Sequence, residues 1–189
     1  MLNQVADSSR HPAPNAPLQR PLLYRFEADV DVVPIGITPE GLRMTVSFDG
    51  RITAGILEGA RVWGIDPLLM RRDGVGVIDA PKTIAKGDIA IYEHVRGYCC
   101  PPKGLPMPPL ETLVDPGFSW PDVLFPIHGF SVFRAAAPEL AHLNDAFASI
   151  EGWASFASGR LAIETRIIEH SGTALVPSLT APSSPAPAS

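Results

Sequence analysis

Cysteine is nearly missing from this chain. The two that occur, Cys99 and Cys100, are neighbours. Neighbouring side chains on a strand point to opposite faces, so these two cannot staple distant segments together. A reducing compartment suits such a protein. Long apolar runs are also missing: none is long enough to span a bilayer. The N-terminal MLNQVADSSRHPAPNAPLQRP has neither the basic start nor the uninterrupted apolar stretch of a secretory signal. There is no run of Lys or Arg, and the net charge is −5. Nucleic acid and anionic membrane surfaces are therefore not expected partners. Together these absences predict a soluble, cytoplasmic protein.

The signatures of metals and cofactors are lacking as well. His11, His94, His128, His142 and His170 show no H-x-H or H-x-x-x-H spacing, and the pairs Glu93-His94 and Glu169-His170 would diverge on a strand. The segment 129-GFSVF-133 lacks the second glycine of a nucleophile elbow. The segment 74-GVG-76 lacks the third glycine of a dinucleotide loop. No metal and no cofactor is expected. A nucleophilic Cys99 or Cys100 has no His partner visible at fixed spacing.

What is present reads as one globular domain. Of 189 residues, 46% are hydrophobic and 19% charged, which is enough apolar surface for a single core and too short a chain for two. Residues 1–20 are polar and Pro-bearing, and residues 172–189 form a Pro/Ala/Ser tail; both are expected to be disordered around a domain at 21–171. Within it, 22-LLYRFEADVDV-32 alternates with Tyr24, Phe26, Ala28, Val30 and Val32 on one face. The strand 42-LRMTVSF-48 repeats the pattern, and Asp49-Gly50 predicts a hairpin turn into 51-RITAGILEGARVW-63. Glu58 breaks the apolar row there, as a residue beside a bulge or as an inward carboxylate.

Further strands are predicted at 75–85, where Pro81 argues for an edge, bulge or break, at 88–100, 127–135, 153–157 and 161–170, with a helix over 138–149. Residues 101–126 are dense in proline and form a long loop, of the kind that more often binds or covers a site than merely connects. Many short strands and one short helix predict an all-β, mainly antiparallel fold, and Gly55, Gly59, Gly64 and Gly76 favour a closed or nearly closed β-barrel over a sandwich.

The stretches 35-IGITPEGLRMTV-46, 59-GARVWGIDPLLMRRDGVGVIDA-80, 91-IY and 142-HLN-144 resemble the DUF3237 (UPF0311) family of uncharacterised proteins. The likeness runs roughly from Leu22 to His170. It implies a compact barrel of lipocalin-like appearance, commonly a homo-oligomer, and implies no particular reaction. The chain departs from the family pattern at Pro67, Pro81 and His142 and in the length of the Pro-rich segment. A reshaped pocket is the implication.

Candidate chemistry centres on 88-DIAIYEHVRGYCC-100. One face carries Ile89, Ile91, Glu93, Val95, Gly97 and Cys99; the other carries Tyr92, His94, Arg96 and Tyr98. If the second face points inward, His94 and Tyr92 are proton-transfer groups, and Arg96 and Tyr98 hold a carboxylate or enolate. If it points outward, Ile89, Ile91 and Val95 fill the core and the polar face is simply wet. Asp66 follows Gly64 at a strand end, where a carboxylate beside an apolar cavity has a raised pKa and acts as a base, or where it only turns the chain before Pro67. Asp73 reads as turn chemistry paired with Arg71 or Arg72. Glu151 and Trp153 are candidate ligand contacts at a barrel mouth, and Asn144 is expected to fix the helix to a loop.

The resulting expectation is a small-molecule-binding barrel. Its first form is a cofactor-independent acid/base enzyme, an isomerase, dehydratase or cyclase acting on a carbonyl-containing metabolite. The alternatives are a non-catalytic carrier of a hydrophobic metabolite and a solidly packed structural subunit.

Overall fold

The computed structural model describes residues 20–168. The tails read from composition, up to residue 19 and from residue 172, lie outside the described residues. Nine strands follow in order: β1 (Leu22–Thr38), β2 (Gly41–Gly55), β3 (Arg61–Asp66), β4 (Leu69–Met70), β5 (Gly76–Lys86), β6 (Ile89–Cys99), β7 (Phe125–Ala135), β8 (Phe147–Ser155) and β9 (Arg160–Ile167). All pairings are antiparallel. They run β1–β2–β3–β5–β6–β7–β8–β9 and return to β1, so the sheet closes into an eight-stranded barrel. The two-residue β4 continues the place of β3 between β2 and β5.

Alternation explains why these residues form these strands. On β1 the aromatic Tyr24 and Phe26 are buried while Arg25, Glu27 and Asp29 are exposed; a strand with one oily and one charged face is stable only with the oily face inward. The same parity holds along β5, β6, β7 and β9. A barrel of eight strands has an interior just wide enough to be filled by side chains or to hold one small ligand.

Two predicted elements differ from what is observed. Asp49-Gly50 does not turn the chain; both residues lie inside β2, opposite Asp29 and Ala28 of β1. Gly50 is there because the strands approach so closely that a Cβ would meet the carbonyl oxygen of Glu27 at 1.9 Å. The real turn follows Gly55, where Leu57 and Gly59 take positive φ and Glu58 is exposed. The helix predicted over 138–149 is a 3-10 helix, Pro138–Asp145, and Phe147 onward belongs to β8. Ala148 and Ile150 alternate inward on that strand, a period-2 burial pattern that no helix offers.

The two ends of the barrel are closed differently. The 3-10 helix buries Leu140 and Leu143 at the end where β7 finishes, and the side chain of Asn144 ties it there, accepting from Ala135 N–H at 2.7 Å and donating to its carbonyl at 3.0 Å. The Pro-rich segment covers the opposite end. It contains one short helix, α1 (Leu110–Leu113), with both leucines buried. Its Trp120 packs against Phe156 with ring centroids 4.7 Å apart and against Phe125 at 5.9 Å. The helix and the loop therefore do not share one mouth.

Candidate ligand cavity

Position on β6 decides most of the site. Ile91, Glu93, Val95 and Cys99 face the interior, so Tyr92, His94, Arg96 and Tyr98 lie on the outer surface. The expectation that these four line the barrel interior is corrected, and the outward alternative holds. The reason is the sum over the strand: the other face carries three aliphatic side chains and a thiol whose burial outweighs that of one carboxylate. Outside, His94 Nε2 meets Asp79 Oδ1 at 2.7 Å, and Arg96 Nε donates to the same oxygen at 3.1 Å. Those contacts hold the Asp79 carboxyl below its ordinary range despite the opposing effect of desolvation. Glu151 is exposed and Trp153, two positions along β8, also lies on the outward parity, so neither lines the interior. Arg71 pairs with Asp73 at 2.5 Å, and Asp73 Oδ1 accepts from Val75 N–H, which is turn chemistry.

The interior is not full. A cavity of about 70 Å³ lies in the half of the barrel nearest the Pro-rich segment, walled by Phe26, Phe48, Ile78, Val95, Ile127 and Phe156 among others. Nearly all its wall is apolar; the ionisable side chains reaching it are Asp66, Lys82 and the thiol of Cys99.

Asp66 is the sequence candidate that the fold places at the cavity. It ends β3 immediately before Pro67. The β3–β5 ladder stops at Gly64 and Lys82, beside Pro81, which has no N–H to offer. In the gap, Asp66 Oδ1 takes the place of a ladder carbonyl and accepts from the N–H of Asp79 at 3.1 Å. Burial pushes its carboxyl from 3.8 up to about 6, the Asp79 N–H opposing and the Asp79 charge adding to the rise. Burial likewise pushes the nearby Cys99 thiol up to about 12, so it is a protonated, inert sulfur and not a nucleophile.

Three interior residues were not singled out from sequence. Lys82 and Glu93 are directly opposite each other on β5 and β6, both essentially without solvent contact, with Nζ 3.2 Å from Glu93 Oε1. Tyr24, on the strand diametrically across the barrel, donates its phenol hydrogen to Glu93 Oε2. The ammonium also sits 4.4 Å from the ring centre of Phe26 and 5.4 Å from that of Tyr24, a cation–π arrangement. Burial pulls the Lys82 pKa down against the pull of Glu93; burial and then the Glu93 charge hold the Tyr24 phenol well above its usual range. The hydroxyls of Ser131 and Thr165 are buried without a hydrogen-bond partner. This polar girder crosses the barrel interior and meets the cavity at Lys82. Its signal in the sequence was a carboxylate and an ammonium, each breaking an otherwise apolar inward row.

No protein-family model matches this chain, and no curated protein does. Solved structures do match. The likeness is one of fold. A conserved protein of unknown function from Rhodopseudomonas palustris is 17% identical with a TM-score of 0.57, the match covering 78% of this chain and 95% of that one. A protein of unknown function from Clostridium acetobutylicum gives 18%, 0.60, 78% and 97%. A β-barrel-like protein from Acinetobacter baumannii gives 20%, 0.55, 85% and 99%. Among the described residues no three His, Cys, Asp or Glu side chains come together as metal ligands, and no helix is long and apolar enough to cross a membrane.

The raised pKa of Asp66 has a measurable consequence. An acid whose folded pKa lies above its unfolded value stabilises the fold fully below the unfolded pKa and loses that contribution as pH rises through the folded one. Between pH 3.8 and about 6, Asp66 should therefore cost the native state a growing amount, reaching about 3 kcal/mol above that window. Asp66→Asn should remove this dependence. Urea unfolding of both proteins below and above the window checks it: the variant should gain relative to wild type as pH rises, and parallel curves would show that Asp66 is solvated.

Proposed function

We propose that the barrel binds a small, mostly apolar carbonyl compound in the cavity beneath the Pro-rich segment, and that Asp66 exchanges a proton with it. The observation that carries this reading is a buried carboxyl without a cationic partner among the described residues, held by one hydrogen bond from Asp79 N–H, on a mostly apolar cavity wall; burial pushes its pKa up to about 6. A general base works best when its pKa is close to the working pH and its surroundings exclude water. The reaction class is a cofactor-independent isomerisation or elimination beginning with abstraction of a proton next to the carbonyl. At about 70 Å³ the cavity is smaller than the apolar cavities of about 150 Å³ that admit benzene. The guest is thus a compact molecule, or one that enters as Phe156 and Trp120 give way.

The nearly unbroken apolar wall favours a second reading, a carrier that holds a hydrophobic metabolite without changing it. A solidly packed structural subunit fits less well with retained free volume. The likeness to the DUF3237 (UPF0311) family belongs to the same proposal, since Asp66 is the aspartate of its Gly-x-Asp motif.

Proton exchange separates the two readings. Small ketones incubated with the protein in deuterated buffer should acquire deuterium beside the carbonyl, followed by NMR, and Asp66→Asn should slow this by about 100-fold or more. Binding seen by ligand-observed NMR without exchange would leave the carrier; absence of both binding and exchange would sink the cavity reading itself.

A further inference from the structure

We propose that Lys82 is a covalent attachment point: its amine condenses with the carbonyl group of an aldehyde or ketone bound in the cavity to form an imine. This inference rests on the cavity reading above and names the chemistry that one of its lining side chains would perform. Four observations converge on it.

The Lys82 side chain both lines the cavity and pairs with Glu93, which brings its amine next to the space that a carbonyl compound would fill. Nucleophilic attack needs the neutral amine. Glu93 Oε1, 3.2 Å away and without a hydrogen bond of its own, is positioned to take the proton. The faces of Phe26 and Tyr24 also lie against the nitrogen, and burial among them lowers the cost of taking the proton from the Lys82 ammonium.

The choice of residue points the same way. Of 15 basic residues in the chain only three, Lys82, Lys86 and Lys103, are lysines. Among the described residues, every other carboxylate pair with a lysine or arginine uses arginine, at Arg25, Arg61, Arg71, Arg96, Arg160 and Arg166. Arginine stays charged in any protein environment, whereas a buried lysine loses its proton readily. A cation that served only to neutralise Glu93 would not need that property.

The step balances within the site. The Lys82 ammonium first gives a proton to Glu93. The neutral amine then adds to the C=O carbon and passes one of its two protons to the oxygen, giving a neutral carbinolamine. Glu93 returns its proton to that hydroxyl, which leaves as water, and the last proton on the iminium nitrogen goes back to the Glu93 carboxylate, so that ammonium, carboxylate and carbonyl yield imine, carboxylic acid and one water. Tyr24 OH, hydrogen-bonded to the second carboxyl oxygen, holds Glu93 in place across the barrel. No oxidant or further reactant takes part.

Reductive trapping tests this on the whole chain. The folded protein is treated with substoichiometric acetone and cyanoborohydride, and the isopropyl adduct is located by peptide mass spectrometry. The expected result is a single adduct at Lys82 in preference to the exposed Lys86 and Lys103, with that preference lost in urea-denatured protein. The adduct should also disappear from folded Lys82→Met/Glu93→Leu, which removes both charges together. Adducts on Lys86 and Lys103 alone would overturn the proposal. Acetone binding, read by ligand-observed NMR without reductant, distinguishes two failures: binding without a Lys82 adduct removes only the imine, and no binding removes the cavity reading with it.

Discussion

Replacing Lys82 by methionine should cost about 3–5 kcal/mol of unfolding free energy, enough to bring a domain of this size near the edge of folding at room temperature. The loss comes less from the pair itself than from what remains. Glu93, without solvent contact, would keep a carboxyl facing Phe26 and the aliphatic wall with only the Tyr24 phenol to satisfy it. Glu93→Gln should be damaging for the mirror reason. Lys82→Met/Glu93→Leu should recover most of the loss, because two apolar groups of similar volume often replace a buried ion pair at little cost. What it would not recover is the Tyr24 hydroxyl's bond to Glu93, worth about 1–3 kcal/mol less whatever Thr165, the other hydroxyl beside it, takes up. Urea unfolding with a common slope measures each term; a loss below about 1 kcal/mol for Lys82→Met, the value of an exposed pair, would contradict the burial of the girder.

Gly50→Ala should be nearly as harmful, although it adds a single methyl group. The new Cβ would fall 1.9 Å from the carbonyl oxygen of Glu27 and 2.5 Å from the Cα of Ala28. Both are backbone atoms of β1, so no rotamer change can relieve the contact. Strands β1 and β2 would have to part along the middle of their shared ladder, breaking bonds on either side, for about 3 kcal/mol or more. Gly59→Ala is the control. It changes the same atoms in the β2–β3 turn, where a Cβ meets nothing within 4 Å and only the positive φ of 83° resists it, so about 1–2 kcal/mol is expected. Equal thermal shifts in the two variants would refute the close approach at Gly50.

The sequence itself argues against a turn at Asp49-Gly50. A two-residue hairpin brings the residues flanking its turn onto the same face, so apolar even positions before it would become apolar odd positions after it. Here Leu42, Met44, Val46 and Phe48 are followed by Ile52 and Ala54, still even, as one continuous strand requires. Asp-Gly is a strong local turn signal, and the parity of six other residues outweighs it. The helix over 138–149 failed differently. Leu140 and Leu143 are three apart and suit either helix type, and nothing local distinguishes a single 3-10 segment from the start of an α-helix that would run into Phe147.

Alternation in this chain determined that it is built of strands in a sheet with one covered face, because a period of two with charged residues on one side has no other stable arrangement; the glycines only favoured closing that sheet into a barrel. Alternation also placed Glu93 and Lys82 on apolar rows, since parity is a local property of the backbone. Only the closed structure decided that those two rows face each other, that Tyr24 arrives from the opposite wall to join them, and that His94, Arg96, Tyr92 and Tyr98 are left outside. Facing depends on strand register and closure, which sum contacts between residues 69 positions apart at the girder and 139 apart where β1 meets β9. No window of sequence contains that sum. The cavity was beyond reach for the same reason: an empty volume is the difference between a wall set by eight strands and the side chains that fall short of filling it.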